Sequence, residues 1–194
     1  MHILRQQIWP AISLTIVLTL ITGVVYPAAI TAVAQLAFPS QANGSLVTLA
    51  DGRVVGSSLI GQAFSEPGYF WGRPSAAGAD GYDANASAGS NLGPTNADLS
   101  ARVSAVVERL RAAHGDAPVP VDLVTTSASG LDPHISPEAA EYQVDRVAVA
   151  RGLEADTVRG IVARHTELQL LGFLGQPRVN VLELNLDLDG LLDD

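Results

Sequence analysis

No charged side chain stands between Arg5 and Asp51, and residues 8–38 of that gap, IWPAISLTIVLTLITGVVYPAAITAVAQLAF, are almost wholly apolar. A run of this length has one stable solution, a helix in lipid, because hydrocarbon offers the backbone no outside hydrogen-bond partner. A helix over residues 11–37 is about 40 Å long at ~1.5 Å per residue, longer than the ~30 Å hydrocarbon core, so it spans with tilt. The chain is therefore expected to divide into residues 1–38, a short stub and one transmembrane helix, and residues 39–194, a domain tethered to the bilayer. A cleaved signal peptide is the rival, since Ala32-Val33-Ala34 fits a small-x-small cleavage pattern. Signal h-regions run only about 7–15 residues, and the length favours a retained anchor.

Within the span, Trp9 suits an interface and Pro10 a first helical turn, whereas Tyr26-Pro27 lies deeper, where the ring removes a backbone bond and predicts a kink. Small and hydroxyl residues, Gly23 and Ala29 among them, form faces of the kind that pack against other membrane helices; an ordinary lipid-facing anchor has the same composition. Arg5 precedes the span and no further Lys or Arg follows until Arg53. That bias puts the N-terminus in the cytoplasm and the C-terminal domain outside.

Removing Arg5 from the net charge of −9 leaves −10 on the remainder. An acidic domain disfavours nucleic acid, which needs clustered positive charge. The chain has no lysine, which excludes a P-loop lysine and a Schiff base, and no cysteine, which is compatible with an oxidising compartment.

Two short strands, residues 47–49 and 53–57, flank Asp51-Gly52, which predicts a hairpin with a type I′ turn. Residues 61–96 are rich in glycine and hold half of the chain's aromatics, among them Phe70 and Trp71. Such a loop is either a binding surface or a flap pinned on the domain's own core. A helix starts at Thr95 or Asn96 and ends at Gly115, with Leu99, Val103, Val106, Leu110 and Ala113 inward. Residues 118–124 read as an extended entry into a strand. A second helix is capped by Ser136, opens with Pro137 and runs to Gly152; a third covers residues 155–171, with Val158, Ile161, Val162 and Leu168 inward. Residues 179–188 read as a final bulged strand. The expected fold class is α+β or α/β, extracytoplasmic and anchored by one N-terminal transmembrane helix.

Ser129, Asp132 and His134 lie close in sequence and invite an alternative function, an anchored or secreted hydrolase. No G-x-S-x-G elbow surrounds Ser129, and triads are assembled from distant segments, so turn and capping roles explain the cluster better. Asp132, His134 and Glu138 show no metal-binding spacing, and no metal site is expected. A third possibility is a tethered binding module whose binding face is the aromatic loop.

The blocks GSSLIGQAF (56–64), PGYFWGRPSA (67–76), SNLGPTN (90–96), PVPVDLV (118–124), SGLDPHIS (129–136) and PRVNVL (177–182) resemble, in order and along the whole chain, the C subunit of the bacterial Kdp potassium-transporting P-type ATPase. The third and fifth blocks are the most specific. They bring in Ser90, Asn91, Gly93, Pro94, Asn96, Asp132, Pro133, His134 and Ser136, joined by Arg178 and Asn180 of the last block, as family-motif residues of unassigned role. Ala88 and Ala128 depart only by one small residue for another.

The resemblance implies a non-catalytic accessory subunit of an inner-membrane complex that couples ATP hydrolysis to potassium import. Its implied partners are a channel-like potassium-binding subunit, a P-type subunit that hydrolyses ATP and a very small fourth subunit. Its implied role is to assemble the complex and, as a catalytic chaperone, to raise the ATP affinity of the hydrolysing subunit. Gln143 matches the glutamine proposed in that family to meet nucleotide. The charge bias argues otherwise, because it puts residues 39–194 on the side away from ATP; an effect on ATP affinity can still arrive by linkage. Phe70, Trp71 and Arg73 are expected to anchor the domain on the channel-like subunit. Acids matter to a potassium path only within about a Debye length, ~8 Å, so the terminal Asp193 and Asp194 are expected to contribute little.

Overall fold

The computed structural model describes residues 2–190, and Asp193 and Asp194 lie outside the described residues. The chain opens with α1 (His2–Leu20), a π-helical turn (Ile21–Val25) and α2 (Tyr26–Ala37). Gln6–Ala37 is long and apolar enough to cross a membrane, and none of its most apolar window is buried. The helix begins well before the expected residue 11. The Tyr26 N–H reaches back five residues to the Ile21 carbonyl. This wider turn sits just ahead of Pro27, whose missing N–H leaves the Gly23 carbonyl without its ordinary partner, so the proline is absorbed by a π turn. The short α3 (Pro39–Ala42) follows, and the Gln35 and Asn43 side-chain amides exchange two hydrogen bonds of 3.2 Å. Residues up to Leu46 form one compact unit and those from Val47 a second.

The hairpin appears as β1 (Leu46–Thr48) and β2 (Val54–Ser57). Its turn differs from the expected type I′, which needs positive φ at both central residues. Instead the Gly52 N–H bonds the Leu49 carbonyl at 2.8 Å, and only Gly52, at φ 83°, is left-handed.

α4 (Ala97–His114) starts as expected: the Asn96 side chain accepts the Asp98 N–H at 2.7 Å, and Gly115 ends the helix at φ 83°. Residues 118–124 form no strand. They end in a 3-10 turn, Val121–Leu123. Pro118 and Pro120 have no N–H for a ladder, and the Asp122 carboxylate takes the Ser136 N–H at 2.7 Å, which fixes the turn.

β3 (His134–Ile135) leads into α5 (Pro137–Glu141), where the Ser136 hydroxyl accepts the Ala139 N–H. The helix expected to run on to Gly152 is interrupted at Tyr142-Gln143 and resumes as α6 (Val144–Arg151), closed by Gly152 at φ 67°. α7 (Ala155–Arg164) buries Val158, Ile161 and Val162 but stops short of residue 171. β4 (Thr166–Glu167) pulls the chain into the sheet instead, and Leu168, expected inward, is exposed.

The final strand is also corrected. β5 (Arg178–Asn180) is followed by α8 (Val181–Leu188), started by the Asn180 side chain accepting the N–H groups of Leu182 and Glu183. The sheet is antiparallel in the order β3-β5-β4, with Ile135 and Thr166 both facing Val179 in register. Helices and sheet enclose a core containing Phe70, Leu110, Ile135, Val144, Val147, Val158, Val179 and Leu184. The domain is therefore a mixed α and β fold.

Phe70 is fully buried, so the aromatic loop is a flap on the domain's own core. Its other side is stitched to residues 129–132. The Gly61 N–H bonds the Leu131 carbonyl, the Ser75 hydroxyl donates to the Gly130 carbonyl at 2.6 Å, and the Ser87 hydroxyl donates to Ser129. Gly130 has φ 68°, and a Cβ there would lie 2.5 Å from the Ala88 carbonyl oxygen and 2.8 Å from the Ala77 nitrogen. Gly130→Ala is therefore expected to cost about 2 kcal/mol or more, while Gly160→Ala, in a helix with open space around it, should gain up to ~1 kcal/mol. Denaturant melts of the full chain in detergent check the pair; equal effects would refute the close approach.

Candidate functional site

Two buried carboxamides hold the flap. The Gln143 Oε1 accepts the Trp71 N–H at 2.8 Å, and its Nε2 donates to the Trp71 carbonyl and to Ala139, each at 3.1 Å. Asn185 does the same one residue earlier, accepting the Phe70 N–H at 2.8 Å and donating to the Phe70 carbonyl at 3.0 Å. The break between α5 and α6 and the last turns of α8 supply these side chains. Together they replace the neighbouring strand that Phe70-Trp71 lacks. Arg146 completes the set: its Nη2 donates to the Gln143 Oε1 at 2.8 Å, filling the last acceptor position of that amide. Gln143 is therefore buried with its hydrogen-bonding capacity met within the chain.

Trp71 is half-buried. The Arg146 guanidinium lies 3.9 Å from its ring centroid and Arg109 5.5 Å, while its indole N–H donates to the Glu66 carbonyl. Arg146 also donates to the Pro67 and Tyr69 carbonyls and, through Nε, to His114 Nε2 at 2.8 Å. Among the described residues it has no carboxylate partner within ion-pair distance, and burial lowers its pKa to about 10, still charged at neutral pH. An arginine only donates, so His114 must present a bare Nε2 and carry its proton on Nδ1, 2.8 Å from the Leu110 carbonyl.

Arg73 faces the other way, pairing with Asp132 at 3.0 Å and donating to the Thr125 and Thr126 carbonyls. Asp132 also accepts the His134 N–H at 3.0 Å and lies 3.3 Å from His134 Nδ1. Burial pushes the Asp132 carboxyl up, but hydrogen bonds from His134 and Arg73 and the Arg73 charge outweigh it, and the pKa falls below its ordinary value. Two open clefts flank this pair. One of about 670 Å³ is lined by Leu59, Ser127, Ser129 and Asp132, the other, of about 430 Å³, by Asp122, His134 and Arg178. Ser129 Oγ accepts the Leu131 N–H and sits 3.3 Å from Ser127 Oγ; His134 is not among its partners. The geometry joins Asp132 to His134 but gives the serine no base.

The remaining motif residues are structural where the contacts reveal a role. The Pro133 carbonyl accepts the Val181 N–H, and Asn180 donates to the Ser58 carbonyl besides capping α8. Arg178 pairs with Glu167 on the surface. Asn91, Gly93, Pro94 and Asn96 are exposed and Ser90 half-exposed, with Asn91 at φ 51°. Gly23 lies in the π turn and Ala29 on α2, both exposed. Phe70 has no exposed surface, so it supports any contact made by its neighbours only from inside. Sequence reasoning missed Asn185 and Arg146. The signal for Asn185 was a lone amide in an otherwise apolar and acidic run.

His114 generates a pH dependence. Burial is the largest cause holding its pKa below 6.5; the Leu110 carbonyl opposes this and the Arg146 charge adds to it. The unfolded chain takes up a proton near pH ~6.5 that the folded chain refuses, so stability is complete above that pH and declines as the pH falls below it. The melting temperature is expected to drop between pH ~7.5 and ~5.5, ahead of carboxylate titration, and His114→Gln, which can still bridge Arg146 and Leu110, should flatten that drop. A variant that follows the wild-type profile would refute the assignment.

A family model described as K+-transporting ATPase, c chain, matches residues 8–190. The Potassium-transporting ATPase KdpC subunit of Sorangium cellulosum is 64% identical over 183 residues, covering 93% of this chain and 96% of the relative. The KdpC subunit of Polaromonas naphthalenivorans is 61% identical over 190 residues, 97% of this chain and 96% of its own. That of Gemmatimonas aurantiaca is 59% identical over 189 residues, with 97% and 94% covered. The chain belongs to the KdpC family.

Proposed function

We propose that this chain is the accessory subunit of an ATP-driven potassium importer, with its N-terminus in the cytoplasm, one helix across the inner membrane and residues from 39 onward outside. Its partners in this reading are a channel-like potassium-binding subunit, a P-type subunit that hydrolyses ATP and a very small fourth subunit. The relatives' names support the transport role, and the single apolar helix with its lone preceding Arg5 supports the topology. The half-exposed ring of Trp71 and the small-residue face with Gly23 and Ala29 are the proposed contacts with partner subunits. Arg73 stiffens the Trp71 segment through Asp132.

One observation carries the mechanism: Gln143 is fully buried and every hydrogen bond it can make is taken. A nucleotide would have to release Trp71 to reach it. The chain therefore raises ATP affinity by docking, stabilising a state of the complex that binds ATP better, and not by touching the nucleotide.

Gln143→Ala is expected to lower the stability of the full chain by roughly 3 kcal/mol without any nucleotide present, because it takes the partner from three backbone groups, the Trp71 N–H and carbonyl and the Ala139 carbonyl, and one acceptor from the Arg146 guanidinium. Titration calorimetry on the full wild-type chain in detergent should show no saturable ATP binding in the micromolar range, the class of about −8 kcal/mol. A micromolar isotherm abolished by Gln143→Ala at unchanged stability would overturn the linkage mechanism.

Topology is tested separately. A C-terminal alkaline phosphatase fusion should be active and a fusion that fluoresces only in the cytoplasm dark. The opposite pattern would reverse the orientation and reopen direct nucleotide contact.

A further inference from the structure

Between β4 and β5 the chain leaves the sheet and forms a turn in which Leu170 and Leu174 exchange two backbone hydrogen bonds of 3.0 and 2.9 Å. Leu168, Leu170, Leu171, Phe173 and Leu174 are each 56–77% exposed. No residue from 168 to 177 is charged, although the chain carries −9 overall. Leu171 takes φ 56° beside Gly172 at φ 77°. Glycine or asparagine would take that conformation with less strain, so an apolar side chain is held at the tip against backbone preference. The base is firm: Arg178 and Glu167 face each other in register and pair at 2.8 Å. Other exposed apolar residues of the domain, such as Val121 and Val149, lie far from this turn in sequence and form no such run.

We propose that this apolar tip inserts into the interfacial layer of the same bilayer that the N-terminal helix crosses, giving the domain a second, reversible membrane contact. The inference rests on residues 6–37 spanning that bilayer. Only residues 38–46 separate the end of α2 from the domain, a tether of at most about 30 Å at ~3.3–3.6 Å per residue. A domain so held meets the lipid surface at high effective concentration, and a weak apolar contact is enough to be occupied. Charge selects the same occupant. An acidic surface is repelled by anionic headgroups, whereas an uncharged tip of leucines and a phenylalanine enters the headgroup boundary without that repulsion.

The absence of cysteine makes the test direct. The full chain carrying Phe173→Cys, or Val149→Cys as the control, is labelled with an environment-sensitive fluorophore and reconstituted alone into vesicles of phosphatidylethanolamine and phosphatidylglycerol. Doxyl-labelled lipids should quench the label at 173 several-fold more than the label at 149, and aqueous iodide should do the reverse. Adding Leu171→Asp should abolish the lipid quenching at 173 without lowering the melting temperature. Equal behaviour of the two labels would overturn the proposal, as would a label at 173 shielded from both quenchers, which would mean contact with another copy of the chain. Carbonate extraction separates the two failures: a chain released from the vesicles refutes the span, and a chain retained with an unquenched tip refutes the insertion alone.

Discussion

Everything in the domain depends on how Phe70 and Trp71 are hydrogen-bonded. The segment lies in the core without a strand beside it, so its backbone groups would be buried and unpaired if side chains did not serve them. Asn185 and Gln143 each offer an acceptor and a donor on one planar amide, the arrangement a neighbouring peptide would present. Neither valine nor leucine of similar size could do this, and a carboxylate would lack the donors. The cost of losing such a group is the desolvation of what remains, about 1–3 kcal/mol for each stranded atom, and a large fraction of a domain's net stability.

From this clamp the rest of the layout follows. The break between α5 and α6 brings Gln143 inward, and the helical α8 buries Asn185 together with its neighbour Leu184, which a strand would send to opposite faces. Arg146 then occupies the space over Trp71, where its charge is balanced by carbonyls and a ring face and no acid is required. The block from Ser129 to Ser136 is the matching latch on the other side of the flap. Its glycine admits the Ala77 and Ala88 backbones, its aspartate takes Arg73, and its last serine caps α5. A hydrolase would need Ser129 free and next to a base; here the hydroxyl is spent on a turn.

Much of this was legible in the residues. The caps of α4 and α5, the closing glycines, the apolar span and the hairpin all have local causes, and local causes are written locally. The errors came where a polar residue looked inward. Leucine at 182, 184, 186 and 188 reads as a strand only if Asn185 faces solvent; once Asn185 is a buried partner, a helix with most of its faces covered gives the same spacing. Gln143 is a different case: the nucleotide role comes with the family resemblance, and the internal partners that fill its amide, Trp71 and Arg146, are not legible in the residues around it. Leu168 looked like core because the third helix was carried past Arg164, and only the pairing of β4 with β5, a long-range event, ends it.

A domain clamped in this way acts on ATP, in the proposed reading, only as a rigid body. Linkage then sets the size of what it must do. A tenfold gain in ATP affinity corresponds to about 1.4 kcal/mol of coupling, and ATP must strengthen docking of this subunit by the same factor. A nucleotide that pulled Gln143 out of its bonds would have the cost of opening the clamp subtracted from that coupling. Docking with the clamp closed carries no such cost. In the proposed reading the half-exposed face of Trp71, held between two guanidinium groups, is the part of the flap that meets the partner.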